Sequence, residues 1–234
     1  MLPAPTRTGS SPQHVHMQKW RGRVGMALAA SLSVLAGMTD AIGFMATGDF
    51  VSFMSGNTTR LAVAISAGET GVMLRLFWVL LAFVMGNALG IVVARRSGRR
   101  ALPLLMCIAM LLCLAAAWPL DTQLPALIAA ILAMGMLNAA VEQVNGLPVG
   151  LTYVTGALSR FGRGLGRWML GERRDGWRVQ LVPWLGMFFG AVIGALLEQR
   201  LGLKALLVSA LVAALLGLLS LKIPHRWQKR YMPR

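Results

Sequence analysis

The sequence predicts an all-α integral membrane protein. It reads as about six transmembrane helices plus two short re-entrant or interfacial polar helices, arranged as two inverted three-helix repeats. Composition, the placement of basic residues and an internal repeat lead to this prediction. Of the 234 residues, 56% are hydrophobic and 13% charged, whereas a soluble domain carries about 25% charged residues. Lys and Arg number 23 against 8 Asp and Glu, a formal charge of +15. Such an excess also suits a nucleic-acid binder. Here the cations sit in short clusters between long apolar runs, so the expected partner is the lipid bilayer and not nucleic acid. At roughly 20 residues per span, six spans leave no room for a separate soluble catalytic domain.

The apolar runs are 25–46, 76–94, 101–119, 124–141, 181–197 and 203–221. Each is long enough, or nearly so, for the ~30 Å hydrocarbon core. The first is too long for a signal-peptide core and reads as an uncleaved helix. Residues 1–23 are polar and basic, with Pro3, Pro5 and Pro12, and read as a disordered cytoplasmic tail. A single membrane domain follows over 24–222, with repeat one about 24–119 and repeat two about 124–222. Residues 223–234 form a second basic cytoplasmic tail.

Two stretches, 48–71 and 144–178, are less apolar and rich in Gly, Ser and Thr. The positive-inside rule bears on whether they cross. Arg7, Lys19, Arg21 and Arg23 place the N-terminus in the cytoplasm. Arg95, Arg96, Arg99 and Arg100 form an inner loop, and so do the six Arg of 160–178. Lys222, Arg226, Lys229, Arg230 and Arg234 bring the C-terminus to the same side. The loop around Asp121 lacks Lys and Arg and belongs outside. Six crossings satisfy all of this when neither polar stretch crosses. Setting aside Arg60, Arg75, Arg200 and Lys204 leaves 19 of the 23 cations inside. Trp20, Trp177, Trp184 and Trp227 then flank inner ends, and Trp78 and Trp118 outer ends, as an aromatic belt requires. The chain reads as a multi-pass protein of the bacterial inner membrane.

The two halves resemble each other. Gly37-Met38-Thr39-Asp40 aligns with Gly135-Met136-Leu137-Asn138, an offset of 98. Ser55-Gly56-Asn57-Thr58-Thr59-Arg60 aligns with Thr155-Gly156-Ala157-Leu158-Ser159-Arg160, an offset of 100. Ala82, Gly86 and Gly90 align with Gly186, Gly190 and Gly194, an offset of 104. Three crossings per half place the second half upside down. Inverted repeats with Gly-containing interruptions are the sequence pattern of secondary transporters. Each polar stretch is expected to dip in as extended chain, turn at Ser-Gly or Thr-Gly, and return as a short helix capped by Ser55 or Thr155. Irregular backbone at depth must face protein or a watery cavity. Two helix N-termini meeting there would favour an anion or a polar solute. The second stretch has a rival reading. Arg160, Arg163 and Arg167 share a helical face, which suits an amphipathic helix on the inner surface. The small-residue stripes of Gly86 and Gly90, and of Gly190 and Gly194, are expected to pack on one another across the pseudo-symmetry axis.

Gly37-Met38-Thr39-Asp40, the run from Phe50 to Asn57, the run from Met134 to Asn138 and the run from Thr152 to Gly156 resemble the YoaK-like family of small bacterial inner-membrane proteins. The resemblance covers about 25–222. Leu137 stands where that family usually has Gln, and Ser55 where Thr is more usual. The resemblance implies a multi-pass membrane protein and no particular substrate.

The substrate-binding candidates are Asp40, Ser55, Gly56, Asn57, Thr58, Thr59, Arg60, Asn138, Thr155 and Gly156. A carboxylate at Asp40 is costly within a span, by ~3 kcal/mol at a central position. It should pair with Arg60 or accept from Asn138, and it is a candidate for a coupling proton or cation. Asn87 is expected to hydrogen-bond a neighbouring helix, and Glu142 to lie wet near the inner boundary. His14, His16 and His225 all lie in the tails, and Cys107 and Cys113 point to different helical faces. No metal site, cofactor or enzymatic activity is therefore expected. The reading is a small permease-like protein moving a polar or anionic solute, with a second copy of the chain as a candidate partner. The alternative is a non-transporting membrane protein with an assembly, sensing or lipid-interacting role.

Overall fold

The computed structural model describes residues 12–119, 123–144, 147–148, 151–152, 154–172 and 176–233. The Asp121 loop, the first eleven residues, Arg173 and Arg174 lie outside these, as do the side chains of His14 and His16. Helices α1 (Pro12–Thr47), α2 (Met54–Ala67), α3 (Thr70–Arg96), α4 (Ala101–Ala117) and α5 (Gln123–Leu137) come first. A short pair β1 (Gln143–Val144) and β2 (Leu147–Pro148) follows, then α6 (Val154–Met169), α7 (Leu181–Leu201), α8 (Leu206–Ser220) and α9 (His225–Tyr231). The stretches Trp20–Thr47, Thr70–Arg96 and Arg178–Ser220 are long and apolar enough to cross a membrane, the last holding both α7 and α8. Ala101–Ala117 and Gln123–Leu137 are shorter apolar helices. All six predicted apolar runs are helical over most of their length.

Three boundaries differ from expectation. Residues 12–23 continue α1 and are not a disordered tail. Tertiary contacts hold this end: Trp20 meets Trp227 edge to face at 5.8 Å, and the Tyr231 hydroxyl donates to the Arg21 carbonyl at 2.7 Å. Helix α5 stops at Leu137, not near 141, because the chain tightens into a turn there. The amides of Asn138, Ala139 and Ala140 reach back to Gly135, Met136 and Leu137. The all-α prediction also missed the antiparallel β1–β2 hairpin, in which Val144 pairs with Leu147. The Asn-Gly pair at 145–146 is its signal in the sequence.

The most extensive contact in the bundle is α1 against α7, with α4 against α8 and α3 against α5 next. Glycines decide the first and third. A Cβ at Gly186, Gly190 or Gly194 would run into the backbone of Ala30, Val34 or Met38 respectively, so α7 runs parallel to α1 at backbone contact. Gly86 and Gly90 meet Leu132 and Met136 in the same way, so α3 runs parallel to α5. The two stripes therefore do not face one another as expected. Each faces a different helix, because Gly37 on α1 and Gly135 on α5 provide reciprocal recesses, against Met187 and Phe83. Close approach matters in lipid, where association relies on van der Waals packing and not on a hydrophobic drive.

One end of the bundle gathers most of the basic segments. The α3–α4 turn carries Arg99 and Arg100, and its Gly98 carbonyl lies 2.7 Å from the His225 ring. Helix α9 ties this end together. The Gln228 side chain accepts from the Ala101 amide at 2.8 Å and donates to the Ser220 and Ile223 carbonyls. The Tyr231 carbonyl accepts from the Glu142 amide. Burial pushes the Tyr231 phenol up to about 12, so it stays protonated and donates.

Two measurements test this packing. Gly190→Ala places a methyl against the Val34 backbone and should cost about 2 kcal/mol by overpacking. Gly166→Ala, at a helical position with nothing within 4 Å, should be neutral or slightly stabilising. Thermal unfolding in detergent reads both; equal effects would show that the α1–α7 contact is loose. Tyr231→Phe should cost about 1 kcal/mol and raise proteolysis of the C-terminal segment.

Candidate functional site

Residues 48–53 double back along α1. Thr47 ends the helix, yet the Val51 and Ser52 amides both donate to the Asp40 carboxylate, at 2.8 and 2.6 Å. Asp40 lies seven residues before Thr47, ~10 Å along the axis. Gly43 leaves room for the Val51 side chain beside it. The Asp40 carboxylate is thus spent on peptide amides that have no other partner at that depth. Asn57, fully buried, clamps the same loop from the other side. Its Oδ1 accepts from the Phe50 amide at 3.2 Å and its Nδ2 donates to the Phe50 carbonyl at 2.7 Å. The chain then enters α2, turns at Gly68 in the left-handed region (φ 72°) and returns as α3.

The expected partners of Asp40 are not the ones it has. Arg60 pairs with Asp49 at 2.5 Å and donates to the Gly48 carbonyl. Arg75 pairs with the other Asp49 oxygen at 2.5 Å and donates to the Thr47 carbonyl. Asp49 is buried and both arginines are about two-fifths exposed. Asp49 is eleven residues from Arg60 and Asp40 is twenty, so local chain reach favours Asp49. Asn138 also bonds elsewhere. It donates to Asn87 on α3 at 3.3 Å, and its Oδ1 accepts from the Thr152 hydroxyl at 3.0 Å. Asn87 thus bonds a neighbouring segment, as expected, and Glu142 is exposed.

Neither predicted cap serves as one. Phe53 occupies the N-cap of α2 without a side-chain bond, and Ser55 lies inside the helix. Thr155 is the second residue of α6. Asp40 instead holds the Val51 and Ser52 amides, which lie ahead of the α2 N-cap. Thr58 and Thr59 donate to the carbonyls of Met54 and Ser55 in the preceding turn and are exposed. Gly56 sits beneath the Phe53 ring. Gly156 leaves room for the Arg160 guanidinium, and Arg160 donates to Gln180 at 2.7 Å.

The structure therefore joins Asp40 with the loop ahead of Asn57, and Asn138 with Thr152 and Asn87. Asp49, Arg75, Ser52, Thr152 and Gln180 were missed as participants. Apolar clefts open on the bundle at two places. One, of about 530 Å³, lies between Trp78, Met85, Leu111, Pro125 and Ile128; the other, of about 320 Å³, lies between Leu61, Ile65, Met73 and Phe77. Neither touches Asp40, Asn57 or Asn138. Among the described residues, the buried hydroxyls of Ser33 and Thr39 have no hydrogen-bond partner. Among the described residues no three His, Cys, Asp or Glu side chains form a metal-binding group.

Residues 28–219 match the family model described as "Protein of unknown function (DUF1275)". The chain belongs to this family. It is 53% identical over 218 residues to the UPF0700 transmembrane protein RA0705 of Rhizobium meliloti (strain 1021), covering 92% of this chain and 95% of that one. No solved structure matches. The apolar helices and this relative together make the chain a membrane protein of a family of unknown function. That agrees in kind with the resemblance to small membrane proteins read from the motifs.

The carboxylate at Asp49 gives a direct test. Arg60→Met or Arg75→Met alone leaves one partner and should cost about 1 kcal/mol, given the exposure of each guanidinium. The double substitution leaves a buried unpaired carboxylate and should cost ~3 kcal/mol or more. Adding Asp49→Asn to the double variant should recover most of the loss in thermal stability. No recovery would mean that Asp49 is not the common partner.

Proposed function

We propose that the protein is a small transporter-like permease whose two halves are inverted copies, with six crossings and both termini in the cytoplasm of a bacterial inner membrane. One observation carries the reading: contacts in one half repeat in the other under the sequence offsets. Adding 98 to residues of α1 and removing 104 from residues of α7 turns the Gly190–Val34 contact into Gly86–Leu132. The same operation turns Gly194–Met38 into Gly90–Met136, and Gly37–Met187 into Gly135–Phe83. Asp40 with Ser52 likewise corresponds to Asn138 with Thr152. Parallel α1 and α7, and parallel α3 and α5, agree with six crossings in which neither polar stretch crosses.

In the first half the chain doubles back to Asp40, ~10 Å inside the end of α1; in the second, Asn138, the residue after α5, holds Thr152 of the returning chain. Discontinuous segments at matched depth, on either side of a pseudo-twofold axis, are where secondary transporters bind solute. Transport would proceed by α1 and α7 rocking as one unit against α3 and α5. The solute class in this reading is polar or anionic, after the polar side chains gathered in the two interrupted stretches.

A second reading, a non-transporting assembly, sensing or lipid-interacting protein, also has an observation behind it. The polar atoms of Asp40 and Asn57 are engaged by the loop, and the described clefts are apolar. Proteoliposomes separate the two. A panel of small anions, amino acids and metabolites is offered to the reconstituted protein. Asp40→Asn keeps one acceptor oxygen for the loop and should leave the protein folded while abolishing accumulation of the transported solute. Folded native protein that moves nothing on the panel would favour the second reading, whereas an Asp40→Asn protein that transports normally would keep transport and remove Asp40 from it.

A further inference from the structure

Helix α6 differs in kind from the others. Val154, Ala157, Leu158, Phe161, Leu165 and Trp168 fall on one face, and Arg160, Arg163 and Arg167 gather on the other. Of the residues in this helix whose burial is described, only Ala157 is buried. Leu158 is 40% exposed, Trp168 51% and Met169 74%. The protein grips α6 by an edge: Phe161 lies 5.0 Å from the Trp177 ring, Gly164 faces the same side chain, and Arg160 donates to Gln180. The apolar face is left open, and Arg163 and Arg160 donate to uncharged groups, Ser159 and Gln180. Helix α2, its counterpart in sequence, is different. It lies along α3, and its single arginine is neutralised by Asp49.

The location selects the occupant. Arg178–Gln180 leads into α7, which runs parallel to α1, so α6 meets α7 at the end where Arg21, Arg23 and the basic α9 lie. A helix with an open apolar face and a cationic face suits the boundary between headgroups and acyl chains. We infer that α6 lies in that boundary and that Arg163 and Arg167 bind the phosphates of anionic phospholipids, with Trp168 inserted among the upper acyl carbons. Through Phe161, Trp177 and Gln180 the headgroups then hold the foot of α7. This holds for either reading of function, and its test needs no transported solute.

The full chain is reconstituted in vesicles of phosphatidylcholine and phosphatidylglycerol in equal parts, with bromine-labelled acyl chains on one lipid or the other. The fluorescence difference between the native protein and Trp168→Phe isolates Trp168. Brominated phosphatidylglycerol should quench it more strongly than brominated phosphatidylcholine. At about 5-fold in association per cation, Arg163→Gln with Arg167→Gln should bring the two lipids to near parity. Circular dichroism of the double variant should match the native protein, since both arginines are exposed. Equal quenching by the two lipids in the native protein would overturn the inference. So would no quenching by either, which would mean that a second copy or another protein covers the face. Unchanged selectivity in the double variant would remove the arginines from the role.

Discussion

Two backbones touch where α7 crosses α1, and they can do so only because Gly186, Gly190 and Gly194 carry no side chains. A hydrocarbon solvent gives helices no reason to associate through greasy surfaces, since lipid tails are as apolar as leucine. Close, extended van der Waals contact is what remains. Helices α3 and α5 use the same device, with Gly135 as the recess on the facing helix. The pairing also frees the other faces: Phe188, Phe189 and Ile193 of α7, and Phe77, Val84 and Leu89 of α3, point outward.

Broken chain inside such a bundle raises a different problem, because orphaned amides find no water there. The protein answers with side chains from elsewhere. Asp40 takes two amides of the 48–53 loop, and Asn57 pairs with both polar groups of Phe50. These contacts make polar residues in apolar surroundings structural necessities. They also show why Asp40 and Asn57 stand out in the sequence whether or not a solute passes near them.

Periodicity and charge made the helices legible, along with the two polar interruptions and the glycine rows, because each depends on residues close together in the chain. Partner choice was less legible. Nothing near Gly186 says that it meets Ala30, and the expectation that two small-residue rows meet each other overlooked Gly37 and Gly135. The bond from Asp40 to Val51 depends on a loop reversal that no short-range pattern encodes. Asp49 was the more readable omission: a lone carboxylate eleven residues before an unpaired arginine. The N-terminal segment was read as tail because its composition is polar, yet Trp20 and Arg21 order it through Trp227 and Tyr231.

The two interruptions are fastened by unlike chemistry. Beside Asp40 and Asn57, the first has a carboxylate gripped between two half-exposed guanidiniums; the second has an amide, a hydroxyl and a lone guanidinium on a glutamine. Dissolved ions weaken that ion-paired side and scarcely reach the neutral contacts. Two ends of similar architecture thus differ in their sensitivity to the surrounding electrolyte, and brine would loosen one rim of the molecule before the other.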